Sequence, residues 1–325
     1  MRNPRANPLR SRILVAAASA TLAVLVWGDQ SSAGIEGTGR YAMVARGRIT
    51  AFGSIFVDGV EYDLAQAKIH VNGHSAQATQ LAIGQVVTVQ GYAKGAKAGT
   101  AKNVTYTSDV VGSITEVDTA ASTFTVLGQT VAVDANTLFG EGIQPAGIAV
   151  LQPGMGVQVS AFVEASGELL ASRIDLQTAG SPLQVIGAVQ ALDTGAQTFQ
   201  LNALTIDYSQ AKVRGKLANG STATVWADEY PTAGTLHVTQ VEVSSGLGGV
   251  AGAKGDVEGL ITSVATNGNI YVGDQLVVID PVTHLLLFGL SLVPDLAVRV
   301  QGTFDSSGAL VAKSIKVKVQ PLTAQ

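Results

Sequence analysis

The 325-residue chain contains no cysteine. That absence excludes a disulfide-stabilised scaffold, a thiol nucleophile and a cysteine-ligated zinc or iron–sulfur site. It also excludes a lipid anchor attached through a cysteine. Charged residues are sparse as well, at 14% of the chain against ~25% in an average globular domain. Because 46% of the residues are nevertheless hydrophobic, intrinsic disorder is excluded too.

Basic residues form no cluster beyond the N-terminus, where four of the arginines are found. The net charge of the whole chain is −4, and a nucleic-acid-binding surface needs clustered lysine and arginine. The chain also lacks a Gly-x-Ser-x-Gly turn, a His-Glu-x-x-His motif and a Walker-type loop. We therefore expect no nucleic-acid partner and no cofactor, and we predict no catalytic residues.

The N-terminus has the features of a secretory signal. Arginines precede the uncharged segment Ile13–Trp27, and the small residues Ser31–Ala33 follow it; this order is typical of a signal peptide. We predict that residues 1–33 are cleaved off, so that the mature protein is periplasmic or extracellular, without stable membrane insertion. The alternative is an uncleaved anchor, although a segment of this length spans only ~22 Å as a helix, against a ~30 Å hydrocarbon core.

The rest of the chain contains four similar segments at intervals of roughly 70 residues, and such self-similarity indicates tandem copies of one structural unit. The segments open with Gly47–Thr50, Gly112–Thr115, Gly187–Gln190 and Gly259–Thr262. An alternating apolar–polar stretch follows each opening, and this period of two is typical of β-strands.

The first copy also predicts a strand register. Asp58-Gly59 favours a type I′ hairpin turn, whose two central residues both need positive φ. In that register Ile55 faces Tyr62 and Val57 faces Val60, so one face of the hairpin is apolar. The same parity predicts inward-facing residues in the other copies: Phe124, Val126, Val131, Val133, Phe199, Leu201, Leu204, Ile206, Ile270, Val272, Val277 and Ile279.

Each copy accommodates five strands with a loop or helix between the third and fourth, as in a small OB-like barrel. We predict an all-β fold, a tandem array of four small five-stranded OB-like β-barrel repeats after the signal peptide. The predicted boundaries are a glycine-rich linker and an incoming strand at 34–46, barrels at 47–111, 112–186, 187–245 and 255–318, a flexible glycine-rich linker at 246–254 and a tail at 319–325.

The fourth copy contains an unusually apolar segment between Pro281 and Pro294, which includes His284–Phe288 and Leu290–Val293. This segment is too short to cross a bilayer. We expect it to plug its own barrel as a short buried helix or coil. The alternative is an exposed patch that binds a partner.

The chain resembles a family of exported proteins of Gram-negative bacteria that are built from tandem copies of an uncharacterised small OB-like β-barrel domain. The resemblance covers nearly the whole mature chain and rests on Gly34–Gly39, Gly47–Asp63, Gly112–Phe139, Leu151–Phe162 and Gly167–Leu176. It implies an exported β-barrel protein with no established activity. Many members of that family resemble lipoproteins with an acylated cysteine just after the apolar leader, where this chain has Trp27.

The four histidines do not predict a metal site. His70 and His74 have metal-like spacing, but Asn72-Gly73 between them favours a hairpin turn, so we expect both to flank that turn as exposed residues. His237 and His284 have no evident partner in the sequence.

Carboxylates that lie close together in the sequence could act as acid–base pairs or as calcium ligands. Asp256 with Glu258 and Asp228 with Glu229 are the candidate pairs, but catalytic pairs depend on their separation in space. The start of a calcium loop at Asp134 lacks its remaining ligands. We predict that all of these are solvated turn residues.

Two aromatic residues are the candidates for ligand or interface contacts. Phe56 points away from the core in the predicted register, and Tyr271 holds the equivalent position in the fourth copy, where the other copies have Thr125 and Gln200. The face formed by strands two and three of OB-type barrels binds ligands, and aromatic rings there can stack on them. The alternative is that Phe56 packs against a neighbouring barrel or against residues 34–41.

We predict an exported, non-enzymatic β-repeat protein that serves as a structural, adhesion or envelope-associated interaction module. Its partner would be a protein or polysaccharide of the cell envelope. The alternative is a soluble carbohydrate- or peptide-binding protein that uses one barrel face. An enzyme is the third and weakest hypothesis, because no acid–base or nucleophile set stands out.

Overall fold

The computed structural model describes residues 41–318. Within this range the chain forms twenty-seven β-strands and two single-turn 3₁₀ helices, Ala78–Gln80 and Ile148–Val150. No helix among these residues is long and apolar enough to span a membrane. The predicted signal peptide at 1–33, most of the glycine-rich linker and the tail at 319–325 lie outside the described residues. The predicted all-β fold is confirmed.

The first barrel is a closed ring of five strands. The strands in this part of the chain are β1 (Tyr41–Ala51), β2 (Ile55–Val57), β3 (Val60–Asp63), β4 (Lys68–Val71), β5 (His74–Ala76), β6 (Val86–Ala93) and β7 (Ala98–Tyr106). The ring runs β1–β2–β3–β7–β6 and back to β1, with only the β3–β7 pair parallel. The β4–β5 hairpin lies outside the ring and pairs with β7. This arrangement is an OB-like barrel.

The hairpin between β2 and β3 has the predicted register. Both residues of the Asp58-Gly59 turn have positive φ, 48° and 78°, as a type I′ turn requires. Ile55 pairs with Tyr62 and Val57 with Val60, and all four side chains are buried. The register prediction is therefore confirmed for this hairpin.

The inward-facing residues predicted for the other copies are also buried, apart from two at the strand ends. Val133 and Ile279 are partly buried against the cores of their own copies. Strand alternation in the sequence was therefore sufficient to identify the core-facing residues of every hairpin.

The second barrel repeats the closed ring. Its strands are β8 (Val110–Asp118), β9 (Thr123–Val126), β10 (Gln129–Ala132), β11 (Leu138–Phe139), β12 (Gly156–Val163) and β13 (Leu169–Leu176). The ring runs β8–β9–β10–β13–β12 and back to β8. The short β11 pairs with β13 outside the ring.

The third copy has the same order of strand pairing as the other copies, but its strands are divided between two sheets. Its strands are β14 (Leu183–Ala188), β15 (Gln190–Asp193), β16 (Thr198–Leu201), β17 (Leu204–Asp207), β18 (Lys212–Arg214), β19 (Thr222–Ala227), β20 (Thr235–His237) and β21 (Gln240–Val243). Its first strand is interrupted at Val189 and its last at Val238–Thr239, so that β15, β16, β17 and β20 form a separate sheet. A ring that closes within one sheet is therefore present in three of the four predicted copies.

The last barrel closes like the first. Its strands are β22 (Lys254–Val264), β23 (Ile270–Val272), β24 (Gln275–Val278), β25 (His284–Leu286), β26 (Ala297–Phe304) and β27 (Leu310–Val317). The ring runs β22–β23–β24–β27–β26 and back to β22. The short β25 pairs with β27 outside the ring.

The barrels are joined through their long first strands. The N-terminal half of β1, Met43–Arg46, extends beyond the β2 hairpin and pairs in parallel with Lys254–Val257 of β22. The start of β8 pairs with β14, but in the antiparallel direction. The first barrel thus shares a sheet with the last barrel, and the second with part of the third copy.

The segment predicted as a flexible linker, 246–254, is part of this packing. Leu247 and Ala253 are buried in the core of the last barrel. Gly249 packs closely against Phe304: a Cβ at that glycine would come within 2.3 Å of the ring. The absence of a side chain at this position therefore permits close packing.

Candidate functional site

A group of charged side chains lies where the first barrel meets the last. Glu258 on β22 is only 5% exposed. Its Oε2 accepts a hydrogen bond from the backbone N–H of Arg48 at 3.1 Å, and its Oε1 accepts from Arg48 Nε and Nη2 at 3.1 and 3.0 Å. Lys318 Nζ lies 3.5 Å from the same Oε1. The charge of the buried carboxylate is therefore compensated by two cations from other parts of the chain, as burial of a charge requires.

The same group extends to the turn of the first hairpin. Asp58 contacts Lys318 Nζ through Oδ1 and lies 2.7 Å from Arg299 Nε through Oδ2. Arg299 also donates to both carboxylate oxygens of Asp256, at 2.8 and 2.5 Å. Burial raises the pKa of the Asp58 carboxyl, although the hydrogen bond from Lys318 and the charge of Arg299 oppose the shift. These residues connect the two barrels electrostatically.

The prediction that Asp256 and Glu258 are solvated turn residues is wrong. Both lie in β22 and are engaged in ion pairs. Glu258 and its partner Arg48 are 210 residues apart in the chain, so local spacing carried no sign of the contact. Strand alternation would have placed Glu258 on the exposed face opposite Val257, whereas both residues are buried, so no local pattern indicated the burial of Glu258.

A cavity of about 280 Å³ opens beside this group, between the first, second and last barrels. Its principal lining residues are Arg48, Asn136, Phe162, Glu258, Leu260 and Lys318. The guanidinium carbon of Arg48 lies 5.6 Å from the centre of the Phe162 ring, which is within the range of a cation–π contact. The cavity thus combines paired charges with an apolar wall.

One rim of the cavity is a hydrogen-bonded turn of the second barrel. Asp134 Oδ1 accepts from the backbone N–H of Asn136 at 2.8 Å, and its Oδ2 accepts from Asn136 Nδ2 at 3.1 Å. Thr137 Oγ1 ties the turn to β13 by donating to the Ala171 carbonyl at 2.7 Å. Asp134 is therefore a turn residue, as predicted, but a half-buried one that lines the cavity.

The apolar segment 281–294 does not plug its barrel. Val282 is 76% exposed and Phe288 71%, and the exposed large residues also include Leu285, Leu286, Leu290 and Val293. The plug prediction is wrong, and the alternative of an exposed patch matches the observed exposure. The reason is that the barrel interior is already filled by the inward-facing residues of its own five strands.

The segment also contains a strand with one partner. β25 pairs in parallel with β27, with Leu285 opposite Ile315. Among the strands described here β25 has no other partner, and its three residues are all exposed. The segment 281–294 therefore combines exposed apolar side chains with a strand that has one free edge among the described strands.

Phe56 and Tyr271 hold equivalent positions on the hairpins of the first and last barrels. Phe56 pairs with Glu61 and is partly buried, whereas Tyr271 pairs with Leu276 and is 38% exposed. Both side chains alternate with buried neighbours, so both lie on the outer face of their hairpins. Their role as ligand or interface residues stays a prediction.

The histidines lie near the surface. His70 and His74 flank the Asn72-Gly73 turn of the β4–β5 hairpin, as predicted. His237 has a partner that the sequence did not indicate, since its Nδ1 lies 3.0 Å from Asp207 Oδ2. Within residues 41–318, no three His, Asp or Glu side chains are grouped closely enough to hold a metal ion.

Asp109 is a further carboxylate that the sequence analysis missed. It lies directly before β8 and is 4% exposed. Its Oδ2 accepts from the backbone N–H of Ala161 at 2.7 Å. Burial raises its pKa from 3.8 to about 6, although Arg46 and the Ala161 hydrogen bond oppose the shift.

Comparison with known proteins places a recognised domain on two of the barrels. Residues 111–175 and 258–316 match the profile of a domain of unknown function (DUF5666), and these ranges correspond to the second and last barrels. No curated protein matches the chain. The chain is therefore similar, over these two segments, to an uncharacterised domain.

Proposed function

We propose that the protein is an exported, non-enzymatic interaction module that binds a protein partner through the segment 281–294. The observation that supports this most directly is the exposure of six large apolar residues in that segment. No Asp, Glu, Lys or Arg occurs between Pro281 and Pro294. Contiguous apolar surface of this kind marks interaction sites, because its exposure to water is unfavourable.

The edge of β25 favours an extended peptide strand as the partner. A strand added beside β25 would satisfy backbone N–H and C=O groups while its side chains contact Leu286 and Phe288, which is the β-augmentation mode of recognition. A lipid surface fits less well, because unpaired backbone groups are costly in hydrocarbon. The proposed ligand is therefore an extended, apolar segment of another protein.

The charged residues at the barrel junction support the non-enzymatic part of the proposal. Asp58, Asp256 and Glu258 are each paired with arginine or lysine. Ion pairs of this kind stabilise the last barrel and its contact with the first barrel, whereas a general base needs a pKa near the working pH and access to a substrate.

The proposal also includes export of the protein and the origin of its copies by duplication of one domain. The arginine-rich start and the apolar stretch Ile13–Trp27 favour a signal peptide, and hence a periplasmic or extracellular location in which the partner is a protein of the cell envelope. The shared strand order of the copies favours descent from one duplicated domain, in four tandem copies, as in the Gram-negative family that the sequence resembles.

A second candidate is a carbohydrate- or peptide-binding protein that uses the outer hairpin face. The exposure of Tyr271 favours it, because an aromatic ring on this face of an OB-like barrel can stack on a ligand. Tyr271→Ala separates the two candidates, since it would weaken binding only in this second case.

The interaction proposal is tested with a displayed library of extended peptides, selected against the mature chain. We expect the selected peptides to be apolar and to lose at least tenfold in affinity on Leu286→Asp combined with Phe288→Asp. Val250→Asp is the matched control, because Val250 is 65% exposed outside the segment. Peptides that bind the double variant unchanged, or binding to phosphatidylcholine vesicles in place of peptides, would contradict the proposal.

A further inference from the structure

The cavity between the first, second and last barrels has the composition of a binding site. Small-molecule sites are mainly apolar concavities of ~300–1,000 Å³ with a few placed polar groups. At about 280 Å³ this cavity lies just below the lower end of that range. Its occupant is therefore small, about the size of one sugar ring.

The charges that line the cavity are balanced. Arg48 and Lys318 supply two positive charges, and Asp134 and Glu258 supply two negative ones. An anion would compete with Glu258 for its two cations, and a cation would compete with Arg48 and Lys318 for the carboxylate. The balance therefore favours a neutral ligand.

The polar groups suit hydroxyl groups in particular. Arg48 has five N–H donors, of which its pairing with Glu258 uses those of Nε and Nη2, so the pair does not exhaust them. A hydroxyl group can accept from such a donor and donate to a neighbouring carboxylate at the same time. The turn at Asp134 presents Asn136 in a fixed position, since its internal hydrogen bonds hold it.

Part of the cavity lining is apolar. Leu260 on β22, Leu170 on β13 and Ala297 at the start of β26 line the cavity together with Phe162. A sugar ring has hydroxyl groups at its edge and C–H groups on its faces, and the polar and apolar lining residues suit these two parts.

We propose that this cavity binds a neutral monosaccharide or a similar small polyol. The site is built from three barrels, so it exists only when the first, second and last barrels are packed together. It shares no residue with the segment 281–294, and failure of either proposal leaves the other intact.

The test measures binding of defined sugars to the full mature chain by saturation-transfer NMR and thermal unfolding. The probes are glucose, galactose and N-acetylglucosamine, with glucuronate and inorganic phosphate as anionic comparisons. A ligand that binds the folded state raises the melting temperature. We expect at least one neutral sugar to give both signals and the anions to give neither.

Variants locate the site. Ala297→Leu fills the cavity without removing a charged group, and Leu170→Phe does so from the second barrel if the first variant folds poorly. Either is expected to weaken sugar binding at least tenfold. Ala98→Leu is the matched control, because Ala98, like Ala297, is a partly buried alanine at the start of a strand but lies outside the cavity lining, and it should bind as the wild type does.

Three results would overturn the proposal. They are the absence of binding by every neutral sugar, preferential binding of glucuronate or phosphate, and unchanged sugar binding in the filled variants.

Discussion

Asp109 shows how a single buried residue sets a pH dependence in this protein. Its backbone N–H donates to the Val159 carbonyl and its own carbonyl accepts from Ile186, so the residue holds the start of β8 between β12 and β14. The carboxylate is enclosed by this arrangement, and enclosure disfavours its charged form. The folded protein therefore holds a proton there at a pH where the unfolded chain has lost it.

Replacing Asp109 by Asn is expected to stabilise the protein relative to the wild type as the pH rises. With a pKa raised from 3.8 to about 6, the contribution of Asp109 to stability is fully present below pH ~4 and is lost as the pH rises through ~6. The relative gain from pH 4 to 7 is roughly 2 kcal/mol, measured as the difference in unfolding free energy. Asn can still accept from Ala161, and exposed Glu229→Gln serves as control. A constant difference between Asp109→Asn and wild type across this range would refute the assignment.

At the scale of the strands, β-bulges recur at the same place in the first and last barrels. The pairing of β6 with β7 shifts between Gln90 and Gly91, and that of β26 with β27 between Gln301 and Gly302. A Cβ at Gly302 would lie 2.1 Å from the Val311 carbonyl oxygen. The bulge brings two backbones too close for a side chain, which explains glycine there.

Gly302→Ala is therefore expected to destabilise the last barrel by ~1–3 kcal/mol, the usual cost of overpacking. The matched control is Gly187→Ala, because a Cβ at Gly187 would meet only Leu201, at 3.4 Å or more. Thermal unfolding of the two variants checks this difference. Equal melting temperatures for both would show that the bulge tolerates a side chain.

At the scale of the whole molecule, the contact between the first and last barrels combines strand pairing, apolar packing and ion pairs. β1 pairs with β22, and Val44 of β1 is buried in the core of the last barrel. Glu258 and Arg48 add the buried ion pair beside them. These two barrels are far apart in the sequence, and the stability of each is therefore expected to depend on its contact with the other.

Glu258→Ala is expected to cost about 3 kcal/mol of unfolding free energy, because removing one partner of a buried pair leaves the other charge uncompensated. Arg48 and Lys318 are partly exposed, which places the cost at the low end of the ~3–5 kcal/mol range. Glu242→Ala is the control, since Glu242 is 52% exposed and 4.0 Å from Arg214, and such pairs contribute ~0–1 kcal/mol. Urea denaturation of both variants measures the difference. Similar losses of unfolding free energy in the two variants would argue against a stabilising ion pair between the barrels.

The sequence by itself determined the all-β fold, the hairpin registers and the residues that fill each barrel. These properties follow from local rules, because alternation fixes which side chains share a face and a turn such as Asp58-Gly59 fixes the pairing beside it. The placement of His70 and His74 on either side of a hairpin turn followed from the same kind of turn signal, although His70 is half-buried and only His74 is exposed. Errors began where a residue's environment depended on distant parts of the chain.

Only the tertiary structure decided that the last barrel pairs with the first, that Glu258 is buried against Arg48, and that the segment 281–294 lies outside its barrel. An apolar run is equally compatible with a core and with an exposed patch, and the choice depends on whether other residues already fill the interior. A carboxylate in a strand likewise gives no sign of a cation 210 residues away. Such contacts arise from packing between barrels, and packing depends on three-dimensional complementarity that local sequence patterns do not encode.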